Sequence, residues 1–564
     1  MLRGDCYCMV GNFLDQAAVR QGVDLVSAPN MGTRASSGPN MGTRASSGDT
    51  ADQEAIPDTG SGRRSRPTGL RSWLVSVQQK IALLFPAELE TRRRFPVVVI
   101  VLAYLLMIAV GAGALLLRQA GEPSWNTIWG EDGWLLLPGA ISHPLSAILR
   151  PYAGYVQVFP RLTADLIASL PFRDAAAGFA IAGAVVAAAI GAFAYKACSG
   201  HVRNRAMRLM LGASVVLLPT GILEVANSGI NTPWYGLFAL FWALIWRPRS
   251  WAGMTVVAFI GLAVMSSQIV GALLLPLLIA RLIALPRVRE HAVTIGYIAG
   301  AGFQVAGVLQ AKNPTQLSHP GRDWSFVVRH MLDVAAGGQH FTVWLLHHAG
   351  HSLGTALLCA FVAAIFAWAL VLGNARVRVF SVAVAGSAFL LSYLPALYRT
   401  KVTVPTTGPL GHLWVRGDRY TVTPILIIIS AMIIIADAAL SREGSRLFWR
   451  RRRLQVTSAA AACVLIACVI ATWATDYRYI VARSYYASWS ASVDYAAQSC
   501  AEGYHPYLSA VRAWVPCDWL DPNRQKQMLN THNRLRQTAA DLVTGRSPGS
   551  ATARSWLHVT TTTI

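Results

Sequence analysis

The stretch PVVVIVLAYLLMIAVGAGALLL, residues 96–117, carries no charge along its length and follows Arg92, Arg93 and Arg94. As a helix it is long enough to cross a hydrocarbon core of ~30 Å, and no soluble fold needs such a run. Comparable runs recur at 177–197, 207–226, 233–247, 251–265, 268–285, 292–311, 352–372, 379–397, 421–440 and 455–473. The expected architecture is an all-α polytopic membrane protein of about eleven transmembrane helices. Composition agrees: 54% of the 564 residues are hydrophobic and 13% charged, against roughly 25% charged in an ordinary soluble domain.

A formal net charge of +22 would suggest nucleic acid in a soluble chain. Here the basic residues sit in short loops between apolar runs: Lys196, Arg203, Arg205 and Arg208; Arg247 and Arg249; Arg281, Arg287 and Arg289; Arg376 and Arg378; and Arg450 to Arg453. Every second loop is basic, which reads as topology with the amino terminus in the cytoplasm, and nucleic acid is not an expected partner.

Three regions follow. Residues 1–95 form a polar, largely disordered cytoplasmic tail holding the tandem repeat PNMGTRASSG at 29–38 and 39–48, with too little apolar surface to fold. The amphipathic stretch from Trp73 to Phe85 is expected on the inner membrane surface. Residues 96–473 form the multispanning domain, with Pro219 and Pro276 expected to kink their spans. Residues 474–564 form an extracytoplasmic tail. The loops 118–176, 312–351 and 398–420 fall on the outer face and are far longer than connectors need to be, so function is expected there.

Those loops and the adjoining helix ends hold the candidate residues. Glu131 and Asp132 stand among Trp125, Trp129 and Trp134; a carboxylate partly shielded by indole can act as a general base or metal ligand, or simply face water while the rings anchor at the headgroups. Tyr152, Ala153, Gly154, Tyr155, Phe159, Pro160 and Arg161 combine a ring that can stack with a guanidinium that can meet phosphate, or else form short interfacial helices. Glu224, Asn227 and Asn231 precede Trp234 and Tyr235 at a span end, where an acid faces a polar cavity rather than lipid. Arg416, Gly417, Asp418, Arg419 and Tyr420 precede another span. Arginine on that side is outside the positive-inside tendency and is a candidate for an anionic lipid phosphate, with pairing to Asp418 or a headgroup as the alternative. His347, His348 and His351 match no catalytic metal spacing, and no phosphate-cradling glycine loop or nucleotide-binding unit is visible. Cys198, Cys359, Cys463 and Cys468 lie in or beside apolar spans as small packing residues, and Cys6 and Cys8 fall on the cytoplasmic side. Cys500 and Cys517 lie in the exported tail, where an oxidising compartment permits a disulfide that spacing alone does not fix.

Taken in this order, the motifs resemble the GT-C class of membrane glycosyltransferases, and within it the actinobacterial multispanning type. The likeness covers about 95–520: Glu131 and Asp132; Ala153, Gly154, Tyr155, Pro160 and Arg161; Glu224, Asn227, Asn231, Trp234 and Tyr235; and Gly417, Arg419 and Tyr420. The resemblance implies a polyprenyl-phosphate sugar donor, an envelope glycan or lipid acceptor, and membrane lipids as partners. It implies Asp132 as catalytic base with Glu131 assisting or orienting, Arg419 and Arg161 neutralising the departing phosphate, and Glu224 with Asn227 contacting sugar or acceptor. Some members of that class use a divalent cation, for which the sequence displays no evident carboxylate array. Asp418 inside the Gly-Arg-Tyr pattern is a departure from the class. The competing reading is a transporter or flippase of a lipid-linked or anionic solute, which would place polar groups at the bilayer midplane and show repeated halves; neither is visible.

Overall fold

A chain in hydrocarbon must satisfy its own backbone, and uninterrupted apolar runs do so as helices. The computed structural model describes residues 69–88, 96–218, 224–311, 338–399, 419–441, 452–478, 482–508 and 513–521. Its helices are α1 (Gly69–Ala82), α2 (Val97–Leu116), α3 (Leu137–Ser142), α4 (Val158–Ala168), α5 (Ala175–Ala197), α6 (Arg205–Leu217), α7 (Thr232–Ile245), α8 (Trp251–Met265), α9 (Leu275–Ala284), α10 (Ala292–Gln310), α11 (Gln339–Ala349), α12 (His351–Leu372), α13 (Ala375–Arg399), α14 (Arg419–Leu440), α15 (Arg452–Asp476) and α16 (Trp489–Ala501). The strands β1 (Tyr507–Leu508) and β2 (Ala513–Trp514) pair antiparallel, Tyr507 opposite Trp514. These elements belong to a unit running from Pro67 to Ile564; Met1–Arg66 forms a separate unit, and the repeat-bearing tail lies outside the described residues.

Seven helical stretches among the described residues are long and apolar enough to cross a membrane: Val97–Leu116, Phe172–Gly200, Val288–Gln310, Ser352–Val371, Ala375–Pro395, Arg419–Leu440 and Ser458–Asp476. The expected spans 233–247, 251–265 and 268–285 correspond to shorter apolar helices, Thr232–Ile245, Trp251–Met265 and Ile269–Ala284. Of the expected span 207–226, α6 covers 207–217, 219–223 with Pro219 lie outside the described residues, and 224–226 form a turn instead of helix. Pro276 does not kink a span: it sits in the first turn of α9, where its missing N–H leaves no helical bond unmade.

Two helices form the centre. All of α7 is buried, and 89% of the apolar window of α14 is buried against 6% for that of α2, which leaves Val98, Leu102 and Leu106 of α2 exposed for lipid. Small residues allow the closest approaches: a Cβ on Gly191 of α5 would stand 2.6 Å from the carbonyl of Gly212 in α6, so only glycine permits this crossing.

The basic loops gather at one end of the bundle. Arg376 donates to the Gly200 carbonyl at 3.3 Å. Asp437 accepts from the amides of Arg203 and Asn204 at 2.9 and 3.1 Å, and Lys196 pairs with Glu88. Arg281 is buried and donates to the carbonyls of Leu244, Trp246 and Glu290. α1 docks at this end through Gln78, which donates to the Ile283 carbonyl. The long loop 118–176 folds at the other end as short turns and the helices α3 and α4.

Candidate functional site

Glu131, Glu224 and Arg419 meet at the end of the bundle opposite the basic loops. Arg419 opens α14, and its backbone amide donates to Glu224 Oε2 at 3.3 Å. Its guanidinium stands 3.7 Å from Glu224 Oε2 and 4.0 Å from Glu131 Oε1, held by charge at distances beyond a hydrogen bond. The Arg419 side chain is 31% exposed and that of Glu131 22%, so both reach solvent. Tyr420 turns an edge to Trp234, ring centroids 5.1 Å apart, and its own ring lies 5.4 Å from the Arg419 guanidinium carbon. Tyr155 also acts on the Arg419 charge.

Each of these residues is positioned by local chemistry. Tyr152 and Tyr155 exchange backbone hydrogen bonds across a tight turn, and Ala153 and Gly154 both take positive φ, 53° and 83°; a two-residue hairpin turn demands that conformation, and glycine adopts it freely. The following segment hangs on the ends of α8 and α10. Gln304 of α10 receives the Val156 amide and donates to the Val156 carbonyl, Ser266 O accepts from Val158 N, and Ser267 Oγ accepts from Phe159 N.

The segment from Glu224 to Asn231 is fastened from all sides. Asn231 donates to the Glu224 carbonyl at 2.7 Å and Asn227, at φ 55°, donates to the Leu115 carbonyl at 2.9 Å. Gly229 has no room for a side chain, since a Cβ would stand 2.6 Å from the Phe179 ring. Asp132 is fully buried; its two carboxylate oxygens accept from Gly229 N at 2.9 Å and Ile230 N at 2.7 Å. Burial pushes its carboxyl up to about 6, against the opposing pull of those amides and of Arg483. Arg483 is itself buried and donates to the carbonyls of Ser124, Thr127, Ala226 and Asn227 and to Thr127 Oγ1; burial lowers its value to about 10, with the Asp132 charge acting the other way.

The expected base position therefore differs from the accessible one. Asp132 is sealed and occupied as an acceptor, while its neighbour Glu131 faces Arg419. Arg161 is buried in α4, where the charges that act on it are those of Arg150 and Asp165, while those acting on Arg419 are Glu224, Tyr420, Tyr155 and Glu131. Arg416, Gly417 and Asp418 lie outside the described residues, as does the side chain of His351. The His348 ring lies tilted beside that of Trp344, with Nδ1 2.8 Å from the Trp344 carbonyl. Among the described residues no three His, Cys, Asp or Glu side chains gather around one ion position, and the place between Glu131 and Glu224 is taken by a guanidinium.

A disulfide joins Cys500 and Cys517 at this same end, where Trp489 of α16 donates to the Phe172 carbonyl. Arg483, Gln304, Ser267 and Asp165 were not among the expected residues. Gln304 had a readable signal, a polar side chain inside an apolar run; Arg483 had the same one as Arg419, an arginine in a region expected on the outer face.

An apolar cavity of about 270 Å³ lies between α5, α7 and α8; Phe159, Thr232, Pro233 and Ser267 line it together with Phe193 and Ala239. Thr232 and Pro233 immediately precede Trp234, so the cavity adjoins the site along the chain. The fold and site define a helical protein with seven helical stretches long and apolar enough to cross a membrane among the described residues and a carboxylate–guanidinium cluster at one end. Comparison of the chain with family models, with curated proteins and with solved structures finds no match.

Proposed function

We propose that this protein is a GT-C-type membrane glycosyltransferase that moves a sugar from a polyprenyl-phosphate donor to an envelope glycan or lipid on the outer face of the plasma membrane. The observation that carries the reading is the Arg419 guanidinium, solvent-accessible and free of side-chain hydrogen bonds among the described residues, set between Glu131 and Glu224. In this reading α6 and the three shorter apolar helices α7, α8 and α9 cross the membrane with the seven long ones, giving eleven spans. The amino terminus is then cytoplasmic and the tail beyond 473 extracytoplasmic.

Glu131 replaces Asp132 as the base, because it alone of the pair is accessible. It takes the proton of the acceptor hydroxyl as that oxygen bonds to the anomeric carbon from the face opposite the phosphate. The bond from the anomeric carbon to the phosphate oxygen breaks, and its electron pair stays on the phosphate. Arg419 meets that charge from a position already fixed, so little reorganisation is needed. Tyr155, Trp234 and Tyr420 are buried behind the charged cluster and back it, and the adjoining apolar cavity suits a lipid portion.

The test is transfer of radiolabelled sugar from a panel of polyprenyl-phosphate donors by membranes holding equal amounts of wild type, Glu131→Gln or Arg419→Gln. Each substitution is expected to lower transfer at least about a hundredfold, the usual scale for losing a general base or a charge-stabilising donor. Full transfer by Glu131→Gln would remove it as base. No transfer by wild type from any donor would put a transporter of lipid-linked solutes in place of this reading.

A further inference from the structure

Beyond the charged cluster, the chain joins Cys500 to Cys517 and brings a histidine to one of the two sulfurs. Cys500 lies in the last turn of α16. The helix ends in a reversal: Gly503 takes φ 84°, its amide donates to the Cys500 carbonyl at 3.1 Å, and the Tyr504 amide donates to the Ser499 carbonyl at 2.9 Å. Glycine adopts that conformation freely, and the paired bonds turn the chain sharply off the helix end. His505 follows at once, and the chain enters β1. β2 brings it back, with Val515 N donating to Pro506 O at 2.9 Å. Cys517 thus arrives beside both Cys500 and His505, whose Nδ1 stands 4.0 Å from Cys517 Sγ.

The two sulfurs are not equivalent. An acid follows each closely, Glu502 after Cys500 and Asp518 after Cys517, so these charges do not separate them. Cys500 sits at the carboxyl end of a 13-residue helix, where the partial negative charge of the helix disfavours a thiolate. Cys517 has the His505 ring, which when protonated sets a positive charge beside its sulfur and favours a thiolate. A disulfide opens by attack of a thiolate on one sulfur and departure of the other, and the sulfur that carries charge more easily leaves faster. Both conditions make Cys517 the departing sulfur and Cys500 the one attacked. The region is open to a small reagent: both cysteines are half-buried, and Ala501, Glu502, Tyr504 and His505 are exposed.

We propose that the Cys500–Cys517 disulfide is a site of thiol exchange, at which a small thiol bonds to Cys500 and Cys517 departs as a thiolate beside His505. The incoming sulfur, as its thiolate, forms a bond to Cys500 Sγ. The bond between the two cysteine sulfurs breaks, its electron pair goes to Cys517 Sγ, and a proton follows from His505. The thiol is oxidised into a mixed disulfide as Cys517 is reduced, so no further oxidant or reductant enters. The bond closes a hairpin whose Leu508 and Val515 are buried in one apolar cluster with Trp489, Phe172, Ile128 and Leu136. The last two flank Glu131 and Asp132 along the chain, so the exchange site is part of the packing that carries the candidate site. The exchange does not depend on sugar transfer.

The experiment uses the full chain purified in detergent and incubated with reduced glutathione at neutral pH. Samples taken at short times are quenched with acid and alkylated with N-ethylmaleimide, and their peptides are mapped by mass spectrometry. The first adduct is expected to carry glutathione on Cys500 and maleimide on Cys517. His505→Gln, at an exposed position, is expected to form the disulfide as wild type does and to exchange it at least about threefold more slowly. Should His505→Gln fail to fold, the position of glutathione in wild type decides. The proposal is overturned if the first adduct carries glutathione on Cys517, if wild type keeps its disulfide throughout, or if His505→Gln exchanges at the wild-type rate. Because the readout is the chemistry of two sulfurs, a failure here leaves the transfer assay standing, and the reverse holds too.

Discussion

Asp132 accepts two amides of the 224–231 segment, and the Arg483 guanidinium crosses the same segment from the C-terminal side. The pair acts as a fastener for Glu131 and Glu224, the two acids that face Arg419. A carboxyl whose folded value is about 6 against an ordinary 3.8 binds its proton more tightly folded than unfolded. Its contribution to stability is therefore fullest below about pH 4, declines as pH rises towards 6, and is constant above that. Asp132→Asn retains one acceptor for the two amides and is expected to cost about 1–3 kcal/mol. It should also flatten the fall in unfolding midpoint between pH 4 and 6, measured against wild type in the same detergent. An unchanged slope would mean that Asp132 does not titrate in that range. Arg483→Lys is not a conservative change, since one ammonium cannot supply the divergent donors that reach Ser124, Thr127 and Ala226.

At the scale of elements, Gln304 is the contact that ties a membrane helix to the site. Its side-chain amide pairs with both backbone groups of Val156, as a neighbouring strand would, and so fixes the turn that presents Tyr155. Gln304→Leu leaves that amide and carbonyl unpaired, at a cost of about 1–3 kcal/mol. The peptide covering 152–159 is expected to exchange amide hydrogen for deuterium at least about tenfold faster than in wild type, with exchange in α14 unchanged. Equal exchange in both proteins would show that the turn is held by Ser266 and Ser267 instead. The long helices were legible because an apolar run is a local property, as in α2 and α14. Acids and arginines next to span ends, Glu131, Glu224 and Arg419, stood out as polar groups in apolar surroundings. What no local pattern carries is pairing: Arg483 reaches Thr127 across 356 residues, and whether Asp132 or Glu131 turns outward depends on amides almost a hundred residues away.

For the whole molecule, the two ends hold many of their arginines differently, with Arg150 exposed at the site end and Arg281 buried at the other as exceptions. At the site end Arg118 donates to the carbonyls of Val216, Leu218 and Tyr477, Arg173 pairs with Asp494, and Arg483 is sunk among carbonyls. At the other end Arg203, Arg205, Arg249, Arg287 and Arg289 stand exposed in short connections or at a helix start. Exposed arginine in short loops is retained on the cytoplasmic side, while arginine on the far side is tolerated where partners absorb it. In the proposed reading Glu131 and Arg419 open to the exterior, the side on which polyprenyl-phosphate donors would be used. In a variant whose free cysteines are replaced and whose Cys500–Cys517 disulfide is kept, Tyr485→Cys, at a 66% exposed position, is expected to react with a membrane-impermeant maleimide in intact cells. Arg205→Cys is expected to react only after the membrane is opened. The opposite pattern would turn the site towards the cytoplasm, and with it the pool from which any donor is drawn; the glycosyltransferase reading would then lose its outer-face substrate while the geometry of the cluster stayed the same.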